Sequence, residues 1–98
     1  MELIVHPEAA QEAAAARTWY EERSARAAKS FADELQRAFA LVREAPLRWP
    51  ADGSGIRRLR MRKFPYALVY ALGVEQVFVL AVAHLHRSPG YWRDRAGE

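Results

Sequence analysis

Apolar positions recur along this chain first with a helical period and then with a strand period. Leu3, Ile4 and Val5 form a short apolar run closed by Pro7, which predicts a first strand. Pro7 suits the first position of a helix, where its missing N–H costs nothing, with His6 as N-cap and Glu8 in the first turn. The alanine-rich run Pro7–Arg23 carries Ala9, Ala13, Ala16 and Tyr20 on one stripe at three-four spacing. Ser24 predicts the cap of a second helix to about Glu44, with a stripe of Ala28, Phe31, Leu35, Ala38 and Val42 widened by Phe39 and Leu41. Two amphipathic stripes joined by a short turn predict an antiparallel helical hairpin.

Residues 45–55 hold Pro46, Pro50, Gly53 and Gly55 and read as a loop, with Trp49 pinning it to the body. From Ile56 the period becomes two. Leu59 and Met61 alternate with Arg58, Arg60 and Arg62. After Lys63-Phe64-Pro65, the residues Tyr66, Leu68, Tyr70 and Leu72 share one face, and Ala67, Val69 and Ala71 the other. Gly73 marks a hairpin. The last strand is expected to place Phe78, Leu80, Val82 and His84 on one face, and Val77, Val79, Ala81 and Ala83 on the other. The pattern predicts a single α+β domain over residues 1–98: β-α-α-β-β-β, a helical hairpin packed on a small, mainly antiparallel sheet.

The last two strands are apolar on both faces, as in a sheet covered twice. Both helices precede them and supply one layer. The second face needs the C-terminal tail, another copy or a partner chain, and a partner is the expectation, because an apolar patch of that size marks a binding surface.

Charge sharpens this picture. Residues 1–55 carry seven Lys or Arg against nine Asp or Glu, whereas residues 56–98 carry eight against three. Five of the seven residues from Arg57 to Lys63 are basic. An acidic or polyanionic partner would meet this half; the blander reading is a solvated strand face that keeps an edge soluble. With no cysteine there is neither a disulfide framework nor a thiolate metal site. No cofactor or metal is expected. The N-terminus lacks a basic region ahead of a long apolar run, and no apolar run approaches the ~20 residues of a membrane span, so a cytoplasmic protein is expected.

Candidate chemistry gathers after the last strand: His84, His86, Arg87, Tyr91 and Trp92, with Arg57, Arg58, Arg60 and Arg62 nearby. Histidine, arginine and tyrosine around a basic groove could cleave RNA by moving a proton and steadying a phosphorane. The same groups could stack on bases, or form a protein-binding hot spot rich in Trp, Tyr and Arg. Composition leaves these alternatives open.

Three segments carry a resemblance: Phe64–Tyr70 (FPYALVY), Val79–His84 (VLAVAH) and Arg87–Trp92 (RSPGYW). Together with Pro7-Glu8-Ala9 and Trp19-Tyr20, they resemble the RelE/ParE superfamily of type II toxins, over nearly the whole chain and closer to ParE-like members. The resemblance implies the same β-α-α-β-β-β fold and a cognate antitoxin that wraps the toxin in a hetero-oligomer. It implies one of two targets. ParE-like members poison DNA gyrase; RelE-like members cut mRNA on the ribosome using basic residues and often a C-terminal tyrosine. Arg87 and Tyr91 stand where the RelE type has its arginine and tyrosine, but Ala67 stands where that type has an arginine. The resemblance therefore favours gyrase inhibition by docking, with Arg57, Arg58, Arg60, Arg62, His86, Arg87, Tyr91 and Trp92 as contacts. The alternative is a ribosome-dependent endoribonuclease using His84, Arg87 and Tyr91. A third reading is a small basic binding module without toxicity.

Overall fold

The computed structural model describes residues 1–97; Glu98 lies outside it. Strand β1 (Glu2–Val5) leads into α1 (Pro7–Glu21) and α2 (Ala25–Glu44). Strands β2 (Ile56–Arg60), β3 (Tyr66–Gly73) and β4 (Gln76–His84) follow, and a short 3-10 helix (Arg93–Gly97) ends the description. The sheet order is β1-β4-β3-β2. β1 runs parallel to β4, and the other two pairings are antiparallel.

The helices start where the capping chemistry places them. His6 Nδ1 accepts from the Glu8 N–H at 3.1 Å, and Ser24 Oγ accepts from the Ala27 N–H at 3.1 Å. All five residues of the expected α2 stripe are buried. Phe31, Leu35, Ala38 and Val42 pack on the sheet face formed by Leu59, Leu68, Tyr70, Val77, Val79 and Val82. Tyr70 is fully buried, and its hydroxyl donates to the Pro46 carbonyl at 2.7 Å, tying the long loop to the core. Trp49 packs against the same core from that loop.

β3 keeps the expected parity, but β4 does not. Tyr70 pairs with Val79 and Val69 with Ala81, so Leu80 is an extra residue in β4. Side-chain alternation breaks at such a bulge. Phe78 and Leu80 lie on the face away from the helices, whereas Val82 lies on the helix face. The expected grouping of Phe78, Leu80, Val82 and His84 on one face is therefore corrected, as is that of Val77 and Val79 with Ala81 and Ala83.

The second face of the sheet carries Ile56, Val69, Leu80, Ala81 and Ala83. The chain's own tail covers its middle, where Trp92 packs at 5 % exposure. The expectation of a partner chain as the cover is corrected there. One indole suffices because two of the residues beneath it are alanines, whose small side chains leave room for a flat ring.

Candidate functional site

β1 is short, and this shapes the site. It pairs with β4 only from Gln76 to Val79, leaving the rest of that edge of β4 without a strand. Unpaired backbone groups under a helix need partners. The His6 N–H donates to the Val79 carbonyl at 2.9 Å, which ends the pairing. Beyond it, two side chains complete the edge. The Val82 N–H donates to Glu12 Oε1 at 3.0 Å, and Arg95 Nη1 donates to the Leu80 carbonyl at 2.9 Å.

Glu12 is the centre of this arrangement. Arg95 donates to both its oxygens at 3.1 Å, a bidentate pairing. Arg87 Nη1 reaches Oε2 at 3.2 Å, and the Tyr91 hydroxyl donates to Oε2 at 2.7 Å. The side chains of Glu12 and Arg95 are only 14 % and 8 % exposed. Arg87 also stacks on the Tyr91 ring, 3.7 Å from its centroid. One carboxylate on α1 thus holds three donors of the tail and one of the sheet.

This network sets the chemistry of Tyr91. Burial, followed by its hydrogen bond to the Glu12 carboxylate, pushes its hydroxyl from 10.0 up to about 12. A tyrosine held neutral in this way is a poor proton acceptor near pH 7. The folded value is raised, so the stability linked to it is intact below about pH 10 and is lost as pH rises through about 12. Carbon-13 resonances of the Tyr91 ring are expected to titrate near 12; a midpoint near 10 would show that the hydroxyl is not held by Glu12.

The other expected site residues fall into separate groups. Arg58 and Arg60 lie opposite Val69 and Ala67, on the face that the tail covers, and both are exposed. The Arg58 guanidinium stands 5.9 Å from the Trp92 ring centroid. Arg57 shares the face of its partner Tyr70 and donates to the Trp49 carbonyl, so it staples the loop. Arg62 lies past the strand, where its N–H and that of Lys63 donate to Glu34 Oε1 at 2.6 and 3.0 Å. His84 ends β4 edge-on to Tyr66 at 5.1 Å, and its Nδ1 accepts from the His86 N–H at 3.1 Å. The structure brings Arg58, His84, Arg87 and Trp92 to one region, whereas Arg60 and Arg62 line a groove beside α2 and Arg57 turns to the loop. Trp92 is a lid on the sheet rather than an open contact.

Beside this region a cleft of ≈ 460 Å³ opens between α1 and the ends of β3 and β4, lined in part by Ala16, Trp19, Tyr66, His84 and Tyr91. Trp19 is half exposed there, under the Arg23 guanidinium at 3.6 Å from its centroid. Among the described residues no group of three or more His, Asp or Glu is gathered to hold a metal ion. No helix among them is long and apolar enough to cross a membrane.

Glu12 and Arg95 were missed by sequence reasoning. Glu12 did leave a signal, since it falls beside the stripe Ala9, Ala13 and Ala16 as an acid among apolar alanines. Arg95 left none.

With this geometry in hand, comparison with known proteins assigns the family. The model of the ParE toxin of the type II toxin–antitoxin system, parDE, matches residues 3–89. The chain belongs to the ParE toxin family. Among solved structures it is similar to one described as the chromosomal ParDE TA system from P. aeruginosa. The TM-score is 0.76 at 14 % identity, over 88 % of this chain and 97 % of that chain. That likeness carries the fold: two helices on a four-stranded, mostly antiparallel sheet. No curated protein matches the chain.

Proposed function

We propose that this chain is the toxin of a type II toxin–antitoxin pair, that it stalls DNA gyrase by docking on it, and that a cognate antitoxin neutralises it in a hetero-oligomer. The observation that carries this reading is the occupation of Tyr91 and Arg87 by Glu12. A ribonuclease needs a group that moves a proton and a cation that meets the developing phosphorane charge. Here the tyrosine is held neutral, and one amine of the arginine is spent on a carboxylate. Ala67 is 3 % exposed, opposite Arg60 in the β2–β3 register, and donates no side-chain hydrogen bond. Loss of one such donor raises a barrier by roughly 3 kcal/mol, a hundredfold or more in rate.

What remains is a surface suited to docking. Arg58 and Arg60 project from the sheet, and the aromatic cleft at Trp19, Tyr66 and His84 lies close to the tail. Arg and aromatic side chains dominate protein hot spots. Both proposed partners place the action in the cytoplasm, and the basic C-terminal half calls for an acidic antitoxin.

The test is a paired assay of the purified protein. Gyrase with supercoiled plasmid is expected to accumulate cleaved DNA, while translating ribosomes leave mRNA intact. Codon-positioned mRNA cuts with undisturbed supercoiling would overturn the gyrase reading in favour of the endoribonuclease.

A further inference from the structure

A second cleft, of ≈ 640 Å³, runs between α2 and the turn that joins β2 to β3. Its lining is polar throughout: Ser30, Asp33, Glu34, Arg37, Arg62 and Lys63. The first four recur at three-four spacing and so share one face of α2. Glu34 fixes the opposite wall. Its Oε1 accepts from the N–H groups of Arg62 and Lys63, which anchors the turn to the helix and leaves both side chains exposed. The cleft continues into a smaller recess that shares Glu34, Arg37 and Arg62 and adds Arg60.

Charge decides what this cleft can hold. Arg37, Arg60, Arg62 and Lys63 are exposed, and none of their side chains has an ion-pair partner among the described residues. The two acids are already engaged: Glu34 Oε1 by the turn, and Asp33 by Lys29 at 2.9 Å. Three cations from β2 and its turn thus meet a fourth from α2, and together they attract an anion. The lining selects which anion. A protein partner needs an apolar anchor near the centre of its footprint, and the main cleft offers none. Unpaired bases stack on aromatic rings, and no aromatic side chain lines the cleft or its recess. Guanidinium groups match phosphate oxygens in pairs, and contacts of this kind carry no sequence information.

We propose that this cleft binds the phosphate backbone of duplex DNA, without regard to sequence, through Arg37, Arg60, Arg62 and Lys63. The phosphate contact follows from the cleft itself. The choice of DNA over duplex RNA rests on the gyrase reading, whose target works on duplex DNA. The pocket at Arg58, Arg87 and Trp92 shares none of these four residues, so the DNA contact and the tail region are separate sets.

The test is fluorescence anisotropy of a labelled twenty-base-pair DNA duplex of mixed sequence, titrated with the full chain at several salt concentrations. Affinity is expected to fall with salt along a log–log slope of about −3 to −4, as four phosphate contacts require. Arg37→Gln combined with Arg62→Gln changes only exposed side chains. The pair is expected to weaken binding about tenfold and to bring the slope to about −2. Should the double variant fail to fold, Arg62→Gln alone is expected to lower the slope by about one. Arg48→Gln removes the same charge from the loop, outside the cleft, and is expected to leave affinity and slope unchanged. Absence of saturable binding overturns the proposal. So does an Arg48→Gln loss equal to that of Arg62→Gln, which would make the response one of net charge alone. Tighter binding of a ten-residue polyglutamate, of single-stranded DNA or of duplex RNA of the same sequence overturns it as well. Gyrase is absent from this measurement, so its failure is separable from failure of the gyrase reading.

Discussion

Glu12→Ala is expected to lower the free energy of unfolding by about 3–5 kcal/mol, the usual cost of stranding one member of a buried ion pair. For a chain of this size that corresponds to a drop of roughly 15–30 °C in melting temperature. The loss has three parts. Arg95 stays buried with only the exposed Glu8 carboxylate, 3.6 Å from its Nε, to offset its charge, the Val82 N–H loses its acceptor, and Arg87 and Tyr91 lose the group that holds the tail. Urea unfolding followed by circular dichroism measures the effect. The double variant Glu12→Leu, Arg95→Met is expected to be less destabilised than Glu12→Ala, because it removes both charges and keeps the volume apolar. A Glu12→Ala protein within 1 kcal/mol of the parent would show that water replaces the carboxylate and that the tail is held by Trp92 alone.

Removal of the tail from Arg87 onward carries the other large effect. On sequence grounds the deletion is expected to abolish toxicity while leaving the helices and strands folded, with loss of the fold as the alternative if Trp92 packs as a lid. The structure favours the second. The deletion removes the indole that covers Val69, Leu80, Ala81 and Ala83, and also three of the donors on Glu12. Removing a buried tryptophan costs about 3–5 kcal/mol. Added to the stranded carboxylate, this approaches the whole stability of a small domain, about 5–15 kcal/mol. The truncated chain is expected to lose its cooperative thermal transition. A truncation that melts sharply near the parent temperature would make the tail an appendage, and its loss of growth arrest would then be a true mapping of the contact surface.

How much of this was legible in the sequence follows from how local each cause is. The Ser24 cap and the α2 stripe depend on residues within a turn or two of one another, and the structure has them as read. The parity of β3 was likewise visible in its own alternation. β4 failed for a different reason: the bulge at Leu80 is defined by register against β3, and no residue type marks it. The Glu12–Arg95 pair is 83 residues apart, beyond any periodicity. A salt-bridged carboxylate on an alanine stripe was readable as an anomaly, but not its partner. The site residues were readable as a basic and aromatic set. Their division was not, because which arginine faces Trp92 and which staples a loop depends on strand register and on where the tail returns.

The parallel pairing of β1 with β4 has a consequence for how the chain comes into being. The first strand bonds to a strand that begins at Gln76, with Glu2 and Gln76 joined across 74 intervening steps of sequence. Contacts of such long range carry a high loop-closure entropy and slow the folding rate. The helical hairpin forms from local contacts and is available early. The sheet cannot close until residues 76–79 have been made, nor can Glu12 find its partner before Arg95 has been made. The surface that would meet a target is therefore assembled late, after these distant segments have left the ribosome. An acidic partner made alongside it has that interval in which to bind.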